Sequence, residues 1–73
     1  MPSKYPILTP SEVIKRLEHK GFQKVSQKGS HCKFSDGKYV CIIPMHDEVA
    51  KGTLKSILIQ AHISLEDFMA VEI

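Results

Sequence analysis

Asp36-Gly37, set between His31-Cys32-Lys33-Phe34-Ser35 and Lys38-Tyr39-Val40-Cys41-Ile42-Ile43, constrains the fold of this chain more than any other dipeptide in it. A two-residue type I′ turn needs positive φ at both central positions, which Asp followed by Gly tolerates, and the flanking runs then read as arms of a β-hairpin. With Asp36 and Gly37 as the only loop residues, Ser35 pairs with Lys38, Phe34 with Tyr39, Lys33 with Val40, Cys32 with Cys41 and His31 with Ile42. Side chains alternate across a strand, so Cys32, Phe34, Tyr39, Cys41 and Ile43 share one face while His31, Lys33, Val40 and Ile42 share the other. The first set suits a core and the second an open face. Cys32 and Cys41 become direct neighbours in this register. A cross-strand disulfide is then conceivable under oxidation, but two reduced, half-apolar side chains packed opposite each other are the simpler account in a reducing compartment.

The remaining elements follow from capping and periodicity. Thr9-Pro10-Ser11-Glu12 starts a helix, with Thr9 as N-cap, Pro10 at the first helical position, Glu12 closing a capping box, and Leu8 and Val13 able to form a hydrophobic staple. Val13, Ile14 and Leu17 make its apolar stripe and Gly21 supplies the left-handed cap, which predicts a helix over Pro10 to Lys20. Phe22 to Lys28 is a weakly alternating strand. Leu54, Ile57, Leu58 and Ala61 recur at the spacing of one buried helix face, which predicts a second helix over Thr53 to Ala61. Ser64-Leu65-Glu66-Asp67 caps a last turn that can bring Leu65, Phe68 and Met69 onto the core. The expected architecture is α+β, a three-stranded antiparallel sheet with helices packed on one face.

Seventy-three residues, 42% of them hydrophobic and 25% charged, predict one globular domain over residues 1–73, with too little chain for an enclosed cofactor pocket. The longest apolar stretch, Tyr39 to Met45, is far short of the roughly 20 residues that span a bilayer. Met1 to Leu8 lacks the apolar segment of a leader, and the two cysteines lack Cys-x-x-Cys spacing, so a cytoplasmic protein with reduced thiols is expected. From Lys15 to Lys38 seven basic residues stand against Glu18 and Asp36, while the rest of the chain is net acidic. Such an asymmetry can mark a face that meets phosphates; on charge alone it reads as a solvated lysine-rich surface.

Gly29-Ser30-His31 carries the chemistry. Imidazole both accepts and donates a proton near neutral pH, so His31 on the open face is the candidate catalytic group. From spacing alone it reads more simply as a polar strand residue beside a Gly-Ser turn, because short motifs give many false positives. His46, in the loop after Pro44, is a weaker second candidate, more simply a hydrogen-bonding loop residue. A zinc site built from His31, Cys32, Cys41 and His46 is disfavoured because His31 and Cys32, adjacent in a strand, project to opposite faces. His19 and His62 lie among polar helix-end residues and read as surface groups.

The order Lys20-Gly21-Phe22, Gln27-Lys28-Gly29-Ser30-His31, Ile43-Pro44-Met45-His46, Gly52-Thr53-Leu54-Lys55-Ser56-Ile57-Leu58 and Ile63-Ser64-Leu65-Glu66-Asp67-Phe68 resembles the HicA family of bacterial toxins over nearly the whole chain. The resemblance implies an α-β-β-β-α fold similar to the double-stranded RNA-binding domain, and a toxin of a toxin-antitoxin pair that cleaves mRNA. It places His31 at the family's catalytic histidine. Lys28 and Lys33 are then candidates to stabilise developing phosphate charge, with Gly29 and Ser30 helping to hold the phosphate through backbone N–H groups. No metal or other cofactor is expected, because RNA carries its own 2′-hydroxyl nucleophile. The implied partners are single-stranded RNA and a HicB-like antitoxin, with no membrane and no direct DNA binding without the antitoxin. A non-catalytic RNA-binding module is the main rival, and a protein-interaction module using Val40 and Ile42 is a third reading. His62 departs from the family pattern, which usually has glycine there, and is costly if that position needs positive φ.

Overall fold

The computed structural model describes residues 5–45 and 48–71. Its elements run α1 (Pro10–His19), β1 (Gln23–Lys28), β2 (His31–Ser35), β3 (Val40–Pro44), α2 (Lys51–Ala61) and α3 (Leu65–Met69). The three strands form one antiparallel sheet in the order β1-β2-β3. The fold is therefore α+β, as the capping and periodicity predict.

The start of α1 is a capping box in full. Thr9 Oγ1 accepts from the Glu12 N–H at 3.2 Å, and Glu12 Oε1 accepts in return from the Thr9 N–H at 3.0 Å. Its end is a Schellman motif: Phe22 N–H donates to Leu17 O and Gly21 N–H to Glu18 O, with Gly21 at φ 92°. The helix stops at His19, with Lys20 as C-cap, one residue earlier than predicted. Phe22 and Leu17, the two residues such a motif brings together, are both buried.

Helix α2 begins at Lys51, two residues before the predicted start, on an Ala50 cap whose side chain offers no acceptor. Its entry is set by tertiary pairing instead, since Leu8 and Val49 form an isolated bridge with Val49 N–H donating to Leu8 O at 2.7 Å. Leu54, Ile57, Leu58 and Ala61 are all buried. They meet Val13, Leu17, Phe34, Cys41, Ile43, Val49 and Phe68 in one cluster, in which truncating a buried leucine to alanine typically costs about 2–5 kcal/mol. In α3, Ser64 Oγ accepts from the Asp67 N–H, and Phe68 is the residue buried; Met69, also expected on the core, is exposed.

The hairpin register differs from the predicted one. Ser35 pairs with Val40, Phe34 with Cys41, Lys33 with Ile42, Cys32 with Ile43 and His31 with Pro44, so Asp36 to Tyr39 form a four-residue loop. The Asp36 carboxylate explains the longer loop, because its Oδ1 accepts from the Tyr39 N–H at 2.8 Å and the Lys38 N–H at 2.9 Å. A two-residue turn would forfeit both bonds. The slip is even, so every side chain keeps its face: Cys32, Phe34, Cys41 and Ile43 are buried while His31, Lys33 and Val40 are exposed. Cys32 and Cys41 are not opposite each other, and both are buried free thiols. Burial raises the Cys41 thiol to about 11.

Strand β1 is exposed along its whole length. Phe22, counted within the strand in the sequence reading, precedes it and is buried, and Val25 is 60% exposed at a bulge between Lys24 and Ser26. The main helix packing lies elsewhere, α2 on β3 and α1 on α3. Within β1, Lys24, opposite Phe34, and Gln27, opposite Cys32, hydrogen-bond each other. The outer edge of β3 is blunted, because Gln60 Oε1 accepts from the Ile42 N–H at 3.0 Å.

Candidate functional site

The β1–β2 connection is a two-residue turn, Gly29-Ser30, closed by the pair Lys28 and His31. Gly29 has φ 61° whereas Ser30 does not have positive φ, the pattern of a type II′ hairpin turn. The turn is braced on both sides. Gln27 Nε2 donates to Gly29 O at 3.1 Å, and Met45 N–H donates to Ser30 O at 2.6 Å, prolonging the β2–β3 pairing past Pro44. His31, as the first residue of β2, therefore leaves a fixed turn and not a free loop.

Register and alternation arrange two adjacent cross-strand rows on the open face. Lys28, His31 and Pro44 form one; Ser26, Lys33 and Ile42 form the other. Directly opposed Cβ atoms lie about 4.5–5.5 Å apart, so the two ammonium groups and the imidazole reach into common space. An open depression of about 530 Å³ lies over them, lined by Ser26, Lys28, His31, Lys33 and Ile42. Among the described residues, no carboxylate contributes to that lining and neither lysine pairs with an acidic side chain. The consequence is a locally cationic site suited to a phosphate.

The residues predicted from sequence separate into groups. His31, Lys28 and Lys33 are brought together; Gly29 and Ser30 lie at the end of the depression, forming the turn that presents His31, and are not part of its lining. His46 lies outside the described residues. Ile42 was expected opposite His31 and stands opposite Lys33, with Pro44 taking its place, because of the longer loop. Ser26 was missed, although its position two residues before Lys28 in a strand is the signal that puts it on the same face.

The basic segment does not form one surface. Arg16 Nη1 donates to the carbonyls of Phe68, Met69 and Val71 at 3.3, 3.4 and 2.6 Å, which commits it to the end of α3. The Lys38 ammonium lies over the Tyr39 ring at 5.2 Å, at the far turn. His62 is in the left-handed region, φ 59° and ψ 41°, and ends α2 where glycine would be unstrained. Cys32 faces the core and His31 the open side, and no three metal-ligating side chains gather among the described residues. No helix there is long and apolar enough to cross a membrane.

A family model described as the HicA toxin of bacterial toxin-antitoxin matches residues 10–63. No curated protein matches the chain.

Proposed function

Because the chain belongs to the HicA family, toxins of bacterial toxin-antitoxin pairs, we propose that it is a metal-independent endoribonuclease that cuts mRNA on its open sheet face. The observation that supports this reading is the convergence of His31, Lys28 and Lys33 on one open depression. RNA needs only alignment, proton transfer and charge stabilisation, because its 2′-hydroxyl attacks the adjoining phosphate. His31 takes the 2′-hydroxyl proton or gives one to the departing 5′-oxygen, and Lys28 and Lys33 offset the charge that builds on the phosphate oxygens. The first product is then a 2′,3′-cyclic phosphate.

An antitoxin partner follows from the family. In this proposal it is HicB-like and covers the open face, where Val40 is 47% exposed and Ile42 is partly so. A toxin acting on mRNA as one domain would work in the cytoplasm.

The test is incubation of antitoxin-free protein with single-stranded RNA in chelator, comparing wild type with His31→Ala. Cleavage by wild type alone, ending in a cyclic phosphate, is the expected result. A strict requirement for divalent metal would overturn the mechanism. Binding without cleavage by both proteins would make the chain a non-catalytic RNA-binding module.

A further inference from the structure

Of the side chains lining the depression, Lys28 and Lys33 can only donate hydrogen bonds and Ile42 can neither donate nor accept. Such donors suit phosphate oxygens. A ribose 2′-hydroxyl is different, since its proton needs an acceptor, and it is the group that distinguishes RNA from DNA. Among the described residues, Ser26 supplies the one neutral hydroxyl in that lining.

Its position is fixed by the sheet. Ser26 stands across β1–β2 from Lys33, in the row beside the Lys28–His31 pair, directly after the bulge at Val25. Bulges re-aim the side chains next to them and are enriched beside functional sites. Gln27 and Lys24, its neighbours, hydrogen-bond each other, whereas no described residue holds the Ser26 hydroxyl. Ser26 and His31 are diagonal partners, about 7–8 Å apart. On the ribonuclease reading, that separation would set Ser26 beside the nucleotide adjoining the one cleaved at His31.

We propose that Ser26 is a positioning residue whose hydroxyl accepts a hydrogen bond from the 2′-hydroxyl of the ribose adjoining the cleaved nucleotide. It thereby contributes to selection of RNA over DNA without touching the reacting atoms. The assignment rests on the ribonuclease reading above.

The test compares wild type, Ser26→Thr and Ser26→Val, which keep the strand-compatible branched shape in the two variants and differ between them in one hydroxyl. Substrates are an all-RNA oligonucleotide and two versions carrying a single 2′-deoxy residue on either side of the cleaved nucleotide, so the attacking hydroxyl stays in place. Wild type and Ser26→Thr should lose about three- to tenfold in kcat/KM on one of the deoxy probes, the range of one net hydrogen bond. Ser26→Val should show that loss already on all-RNA and no further loss on the same probe. A Ser26→Val protein that responds to both deoxy probes as wild type does would overturn the assignment, as would a wild type indifferent to both. Absence of all-RNA cleavage by wild type would instead remove the ribonuclease reading, and this assignment with it.

Discussion

The imidazole of His62 lies flat on the ring of Tyr39, centroids 3.8 Å apart and planes 15° from parallel. This contact joins the end of α2 to the β2–β3 loop. It also occupies the position at which a non-glycine residue adopts a left-handed conformation. Left-handed backbone costs a residue with a Cβ about 1–2 kcal/mol, and an aromatic pair returns about 0.5–1.5 kcal/mol. The two nearly cancel.

His62→Gly is therefore expected to change stability by less than about 1 kcal/mol, while His62→Ala, which loses the stack and keeps the strain, destabilises by about 1 kcal/mol. In a Tyr39→Ala background His62→Gly should become stabilising. Urea denaturation of the four proteins in a double-mutant cycle reads the coupling.

Arg16 reaches from α1 to three carbonyls at the end of α3 and stacks its guanidinium 5.9 Å from the Phe68 ring centroid. Its loss in Arg16→Met should destabilise the protein by about 1.5 kcal/mol, since the charge-assisted bonds are part-buried. Arg16→Lys should recover only part of this, because an ammonium lacks the planar guanidinium that lies over the Phe68 ring. Hydrogen exchange should rise first at Phe68 to Val71.

The Asp36 carboxyl is held below its ordinary value of 3.8, first by the Tyr39 N–H and then by the Lys38 N–H. The folded state thus prefers the ionised form. Its stabilisation is complete above pH 3.8 and is lost as pH falls through the lowered folded value. Asp36→Asn keeps an acceptor and loses the titration. The gap between the denaturation midpoints of wild type and variant should stay constant above that pH and shrink below it.

Lys28→Gln and Lys33→Gln, each in a His31→Ala background, should weaken RNA binding and reduce the slope of log K against log salt by about 0.7 apiece, the value for one phosphate contact on a single strand. Lys38→Gln, at the turn beside Tyr39, should leave the slope unchanged. Fluorescence anisotropy over a salt series reads all three. A slope unaffected by Lys28 and Lys33 would place the RNA elsewhere.

Much of this architecture was legible in local chemistry. The Thr9–Glu12 box, the Gly21 cap and the Leu54-Ile57-Leu58-Ala61 stripe act within a few residues, so reading them required no knowledge of what lay across the core. His31 and Lys33 could be assigned to the open face for the same reason, because strand alternation survives any even error in register. Arg16 could not be distinguished from its basic neighbours. The carbonyls that hold it are more than fifty residues away.

Local chemistry sufficed for the capped start of α1, the buried face of α2, which strand residues share a face, and the placing of a histidine after a Gly-Ser turn beside lysines. Tertiary structure decided the register of β2 with β3, since Asp36 could close either a short or a long loop. In the long one, Tyr39 leaves the ladder to meet His62, and Gln60 caps the Ile42 N–H. It also left β1 uncovered and bulged at Val25, setting Ser26 beside Lys33. Capping and periodicity are satisfied by neighbours in the chain, whereas register and side-chain pairing depend on which distant groups are available to complete them.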